Sequence, residues 1–426
     1  MKTHRSGAAR AALGMTVVWA LVHVTEARGA DTIPLCTGLT IVTAVSQPSG
    51  DYESIKTIQT ISDTEVRLKY SAEMRYNDIF SSSGPELKTV NFGRTMLVKD
   101  LQSATDYQQV YLEKSVETIP GTTGIGTSTA VLQNLKSKGQ SKFGFSVAYP
   151  ELVLTTDPRK IPNYYSYLQR GVLQRVAGPA TVSVIVNDVP MDLPVVHAQG
   201  TLVGDKVDFQ FLDDPANPLT LAFGIGVGAI KPLTPDEIQF CANTKKHGIE
   251  PPAALHCDKP NGGDRDTLRV VKIAYRCQAP SPGSGGGGGK GAGQVPGGLG
   301  AGSGSGLEKA LANRQKVDVY SIYFSFNSDA LRDESTPTLK EIADILTRHP
   351  DWRLDVNGHT DGIGADQYNL DLSKRRAAAV VKALVTGYHI DAGRLKSAGF
   401  GKSQPKDTND TLEGRARNRR VELMRF

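Results

Sequence analysis

Between residues 31 and 277 apolar and polar side chains alternate with a period of two. Glu65-Val66-Arg67-Leu68-Lys69-Tyr70 and Lys206-Val207-Asp208-Phe209-Gln210-Phe211 do so strictly, and Thr181–Val186 is more fully apolar. Such alternation puts one strand face on a core and the other in water. Turn formers interrupt these runs at Pro48-Ser49-Gly50-Asp51, Asn187-Asp188 and Asp213-Asp214-Pro215. Many short strands with such punctuation predict an all-β body built as a sandwich. The rival architecture is a membrane barrel, which needs aromatic girdles at both interfaces. Trp19 and Trp352 both fall outside residues 31–277, so the sandwich is the expectation.

From residue 307 strand and helix periods alternate. Val319–Phe326 reads as a strand ending at Asn327. Thr336 is placed to cap a helix with Pro337 at its first position. Leu339, Ile342, Ala343 and Leu346 then follow helical spacing as far as His349-Pro350. Trp352–Val356 is a second strand. Gly358 and Gly362 bracket a turn holding His359, Thr360 and Asp361. A helix through Leu372, Ala377, Val380, Val381 and Leu384 is expected to stop at Gly387. Strands at Arg394–Gly399 and Arg420–Phe426 complete a helix-on-sheet α/β sandwich over residues 307–426.

The flanking segments divide the chain. Residues 1–30 run basic, apolar, then small, the layout of a signal peptide. Their apolar run, residues 11–24, is short of the roughly 20 residues a membrane span needs. An uncleaved inner-membrane anchor is the alternative. Cys36, preceded by Ile33-Pro34-Leu35, lacks a lipobox. Residues 278–306 hold 14 glycines and predict a flexible tether spanning roughly 30 Å. The formal charge of +5 falls to +2 without the first 30 residues, which suggests no nucleic-acid partner.

All four cysteines, 36, 241, 257 and 277, lie in the body. An even count in an exported chain suggests two disulfides. Cys241–Cys257 would close a short loop and Cys36–Cys277 would tie the start of the body to its end; the other two pairings stay open. A zinc site of Cys241, His247, His256 and Cys257 matches no usual spacing. Elsewhere in the body His197 stands alone, Gly224-Ile225-Gly226-Val227-Gly228 reads as a strand edge or turn, and Gly-x-Ser-x-Gly is absent. No catalytic residue and no cofactor motif is identified, and the reading is not of an enzyme.

The chemistry concentrates in Asn357–Arg376. Asp361 ends a strand pattern, and Arg376 is read as one turn into an alanine-rich helix. A carboxylate and a guanidinium on neighbouring rigid elements suit an ammonium beside a carboxylate. They could equally brace each other.

Fixed spacings add to this. Tyr323-Phe324 is followed by Asn327, then Gly358-His359-Thr360-Asp361 with Gly364, Tyr368-Asn369, Leu372-Ser373 and Arg376-Ala377. Asn409, Thr411, Gly414-Arg415-Ala416 and Asn418-Arg419-Arg420-Val421-Glu422 close the series. Residues 317–426 thereby resemble the OmpA-like family, the C-terminal domain of outer membrane protein A and of peptidoglycan-associated lipoprotein. The resemblance implies non-covalent binding of peptidoglycan. Asp361 and Arg376 would hold the diaminopimelate of the stem peptide, and Asn327, Asn369 and Arg419 would line the pocket. Asp361 would accept from the ammonium, and Arg376 would fork to the carboxylate with help from the helix N-terminus. His359 is expected to support its turn, and Asn409-Asp410-Thr411 to cap a short helix.

The chain is thus read as an envelope protein of the periplasm, associated with the outer membrane and peptidoglycan. It would anchor its body, or outer-membrane or other envelope partners, to the wall. An envelope enzyme localised by the module, or an adhesin or assembly subunit, are the alternatives. N-terminal sequencing of protein from envelope fractions should find a mature chain beginning between residues 28 and 31. A chain still starting at Met1 would support the anchor instead.

Overall fold

The computed structural model describes residues 32–46, 52–76, 86–109, 111, 116–146, 168–202, 204–247, 255, 257, 261–264, 266–277, 306–313 and 315–426. The expected signal peptide, and the expected tether apart from Gly306, lie outside these residues. The strands of the body are β1 Thr40–Ser46, β2 Tyr52–Ile61, β3 Glu65–Tyr76, β4 Glu86–Leu97, β5 Asp106–Tyr107, β6 Val116–Thr118, β7 Thr122–Thr123, β8 Gln140–Ser146, β9 Leu168–Arg175, β10 Ala180–Val186, β11 Val189–Leu202, β12 Asp205–Leu212, β13 Thr220–Ile225 and β14 Asp266–Ala274. Helices α1 Val98–Ser103, α2 Thr129–Lys138 and α3 Pro235–Lys246 accompany them.

The body is mostly strand, as the alternation predicts, but the expected two-sheet sandwich is corrected. The strands run in one hydrogen-bonded sheet, β6-β4-β3-β2-β1-β14-β13-β12-β11-β9-β8-β5-β7. β10 pairs with both β11 and β14, so β10 to β14 close a five-stranded, barrel-like ring. The cause is the length of β11. One edge pairs with β12, while the other is divided between β10 over Val189–Val195 and β9 over Ala198–Gly200. One strand therefore serves both the ring and its extension. Gly200 lies at that junction, where a Cβ would come 2.6 Å from the Val172 carbonyl oxygen.

Both expected disulfides form, Cys36–Cys277 and Cys241–Cys257. The second removes the zinc alternative, since both thiols are taken. His197 is not alone: its Nε2 meets Asp208 Oδ2 at 2.7 Å across the β11–β12 pair.

The C-terminal region contains α4 Gly306–Ala312, β15 Val317–Val319, α5 Thr336–Arg348, β16 Leu354–Gly358, α6 Asp366–Tyr388, β17 Leu395–Gly399, α7 Leu412–Asn418 and β18 Val421–Arg425. Its sheet runs β15-β18-β16-β17, parallel only between β16 and β17. Leu339, Ile342, Leu346, Val356, Val380, Leu384 and Leu423 form a core drawn from this region's own residues. The expected strand Val319–Phe326 is regular only up to Val319. Beyond it, backbone donors go to side chains: Tyr320 and Ser321 N–H to Asp188 Oδ1, and Tyr323 N–H to Ser335 Oγ. Thr336 starts α5 rather than capping it, and α6 runs past Gly387 to a left-handed His389 (φ 59°). Thr411 caps α7 as expected, accepting from Gly414 N–H.

Residues 32–426 pack as one unit. Val42, Ala44, Ile55 and Val271 on the outer face of the body sheet meet Tyr323 and Ala416. Polar contacts ring this small apolar patch. Asp188, in the β10–β11 turn, takes the donors just named. Arg269 pairs with Glu413 at 2.6 Å, Arg276 with Glu341 at 3.0 Å, and Arg332 donates to Ser71 Oγ at 2.7 Å.

Denaturant titration should separate the two disulfides. The chain-entropy model assigns roughly 3 kcal/mol to a short loop and about 5 kcal/mol to a long one. With sequence separations of 16 and 241, the Cys36→Ser/Cys277→Ser pair should lose more stability than Cys241→Ser/Cys257→Ser.

Candidate functional site

β16 delivers the turn that carries Asp361. It ends at Gly358, where a Cβ would stand 2.3 Å from the Ser373 carbonyl oxygen of α6. Glycine alone permits that approach of strand to helix. The turn is then stitched by amides. Gly362 N–H donates to Asn409 Oδ1 at 2.7 Å, and Asn418 Nδ2 reaches the same oxygen at 2.9 Å. Asn369, buried on α6, donates from Nδ2 to the Ile363 carbonyl at 2.8 Å.

Asp361 uses both oxygens. Oδ1 accepts from Ile363 N–H at 3.0 Å, and Oδ2 accepts from Arg419 Nη1 at 2.7 Å. Arg376 lies ten residues into α6, roughly 15 Å from its start. The expected help from the helix N-terminus is therefore corrected, because that field fades within the first turn. Arg376 is held instead by the Ser328 and Ser325 carbonyls, at 2.9 and 3.3 Å, with its guanidinium over the Phe324 ring. Among the described residues no ion pair joins Asp361 to Arg376, so the two do not brace each other. Asn327 is exposed with φ 52°, and its carbonyl accepts from Tyr368 Oη at 3.5 Å.

The structure thus gathers Asp361, Arg376, Arg419, Asn369 and Asn327 around one end of the C-terminal sheet. Asn369 braces the turn, while the two arginines and Asp361 supply charge. Asp361 and Arg419 keep side-chain exposures of 16% and 25%, so the site is largely shielded yet reachable by water. Burial, then the neighbouring charge of Arg419, lowers the Arg376 pKa to about 10. Burial also acts against Arg419, but Glu53 and Asp361 outweigh it and raise its pKa.

Glu53 is the residue that sequence reading missed. It sits on β2 of the body, 366 positions before Arg419, and its Oε1 accepts from Arg419 Nη2. Burial would raise its carboxyl, yet Arg419 and Lys272 hold it below the usual range. No local pattern distinguishes this glutamate from a solvated one. Asn409 and Asn418 were visible within the closing motif, though not as the amides that hold the Asp361 turn.

The comparisons bear on this end of the chain. A match to the OmpA family spans residues 323–419. Those residues are an OmpA-family domain. Outer membrane porin F of Pseudomonas aeruginosa is 43% identical over 101 residues, covering 24% of this chain and 29% of the relative. Outer membrane protein A of Bordetella avium is 41% identical over 101 residues, covering 24% and 52%. This chain thus spans about a third to a half of the length of these curated relatives. Among solved structures, the peptidoglycan-associated lipoprotein from Burkholderia pseudomallei shows 30% identity over 25% of this chain and 88% of its own, with a TM-score of 0.24. The cell wall anchor of the T6SS from Pseudomonas aeruginosa shows 37% identity over 26% and 78%, with a TM-score of 0.23.

His359, in the same turn of the OmpA-family domain, is 3% exposed and lies flat on Phe400 with a centroid distance of 5.3 Å. Among the described residues neither ring nitrogen has a hydrogen-bond partner. Burial, then Arg420, lowers its pKa to about 4. A histidine kept neutral when folded binds its proton more readily when unfolded, so stability rises with pH across that window. Stability should be fully present above about pH 6.5 and fall by up to roughly 3 kcal/mol as pH drops towards 4. Melts of His359→Phe across this range should show a flatter pH dependence; an unchanged slope would exclude His359 as its source.

Proposed function

We propose that this protein holds its β-rich body, or the outer membrane and its partners, to the cell wall. Residues 31–277 would be the body, 278–306 the tether, and 307–426 the module that binds peptidoglycan without covalent chemistry. A cell-envelope location goes with the OmpA-family domain and with relatives named as outer-membrane proteins. The observation that carries the reading is the placement of Asp361, Arg376 and Arg419. One carboxylate and two guanidiniums lie at one end of that domain, Asp361 held by a backbone N–H, Arg376 by two backbone carbonyls and Arg419 by Asp361 itself.

The diaminopimelate of the stem peptide has matching chemistry, an ammonium and a carboxylate on one carbon. Asp361 accepts from the ammonium. Arg376 offers a forked donor to the carboxylate. Arg419 orients Asp361, Asn369 fixes the turn, and Asn327 lies at the edge of the site.

Residues 307–426 have their own core, so they can be tested alone. They should co-sediment with diaminopimelate-type peptidoglycan. Asp361→Ala or Arg376→Ala should weaken this by about 30-fold to several thousand-fold, the usual effect of truncating one side of a desolvated charge pair. Both variants should still fold, because neither change opens a cavity in the domain's own core. Arg376→Lys should also weaken binding, since an ammonium cannot fork to two oxygens. Wild-type binding by folded Asp361→Ala would sink the site assignment.

A further inference from the structure

The end of the OmpA-family domain that carries Asp361 and Arg419 is not turned to solvent alone. It faces the outer surface of the body sheet, and β2 and β3 reach into it. Glu53 bonds Arg419 through the nitrogen not used by Asp361. Glu73 on β3 accepts from the Phe326 N–H, next to Asn327. Ser71 accepts from Arg332, and Lys69 pairs with Glu334 at 3.6 Å. The 325–334 loop held in this way is the one whose carbonyls at Ser325 and Ser328 position Arg376.

Charge explains why a glutamate settles there. The domain brings two guanidiniums to the site and one carboxylate, Asp361. Among the described residues Arg376 is held by carbonyls and the Phe324 ring and pairs with no carboxylate, and the nearby charge of Arg419 works against its own. An isolated domain therefore keeps a vacancy for one more anion. Glu53 fills it: it is the body carboxylate whose charge favours both Arg376 and Arg419. The ligand assigned above would bring its own carboxylate to this place. Glu53 retains 34% side-chain exposure, so water and a competing anion can reach the pair.

We propose that Glu53 is an internal occupant of the peptidoglycan site, its carboxylate bonded to Arg419 and taking the place that the carboxylate of the stem-peptide zwitterion would need. This rests on the site assignment above and adds to it a competition. With the body docked, the wall ligand must displace Glu53; with the ligand bound, the body must lift from that end of the domain. The small apolar patch and its polar ring make such a docking reversible in kind, since polar interfaces within a chain behave like transient ones. A chain held mostly docked binds with an affinity reduced by the fraction of time it spends open.

The test compares full-length protein with residues 307–426 by co-sedimentation with diaminopimelate-type peptidoglycan. Full-length wild type should bind about tenfold or more weakly than the fragment. Glu53→Gln, which keeps the shape and removes the charge, should restore most of the difference in the full chain. Adding Asp361→Ala to it should abolish binding again. Equal binding by full-length protein and fragment, or unchanged or weaker binding by Glu53→Gln, overturns the proposal and leaves the site assignment standing. A fragment that fails to bind overturns both. A crosslink provides a second arm independent of Glu53. Ser183 and Arg417 touch across the docked face. A short bis-maleimide joining Ser183→Cys to Arg417→Cys should lock the body down and remove binding by the full chain. Undiminished binding by the crosslinked protein excludes the competition.

Discussion

The guanidinium of Arg419 is shared between two carboxylates that come from opposite ends of the chain. Asp361 belongs to the turn after β16, and Glu53 to the second strand of the body. Two unit charges about 4 Å apart interact by roughly 4 kcal/mol near a protein surface. Withdrawing either carboxylate leaves a partly buried cation short of balance, with Arg376 beside it. That one shared group contributes to the docking of body on domain, to the orientation of Asp361 and to the lowered pKa of Glu53.

The contact between the two parts is apolar only at its centre. Tyr323 and Ala416 meet four aliphatic residues of the sheet, and charged groups surround them. Lys272, buried beneath Tyr323, has its pKa lowered to about 8, chiefly by burial and in spite of Glu53. Each part keeps its main hydrophobic core to itself. The docking surface is therefore specified by charge placement more than by area removed from water.

Much of this was legible in the sequence, but unevenly. Local period gave the strands at Glu65–Tyr70 and Lys206–Phe211 and the helix at Leu339–Leu346, because a residue's face depends on its immediate neighbours. The fixed spacings around Asp361, Asn369, Arg376 and Arg419 announced the site for the same reason: a turn, a helix face and a capping amide are short-range devices. Three things were hidden. The closure of β10 to β14 depends on how one long strand divides its edge, which no alternation records. The irregular course after Val319 depends on Asp188, a hairpin residue from another part of the chain. Glu53 reads as one more polar position on a strand until the fold brings Arg419 to it.

The Cys36–Cys277 bond has a mechanical side. Cys277 lies three residues beyond β14, and Cys36 lies four residues before β1, its antiparallel neighbour in the sheet. A pull arriving from the C-terminal side would enter the body at Cys277 and, without the bond, peel β14 from β1 one hydrogen bond at a time, beginning at Ala274. The disulfide rivets the two strands at the end where the peeling would begin. Any such load would pass to Cys36 through covalent bonds, and the β1–β14 ladder would be spared a zipper-like failure.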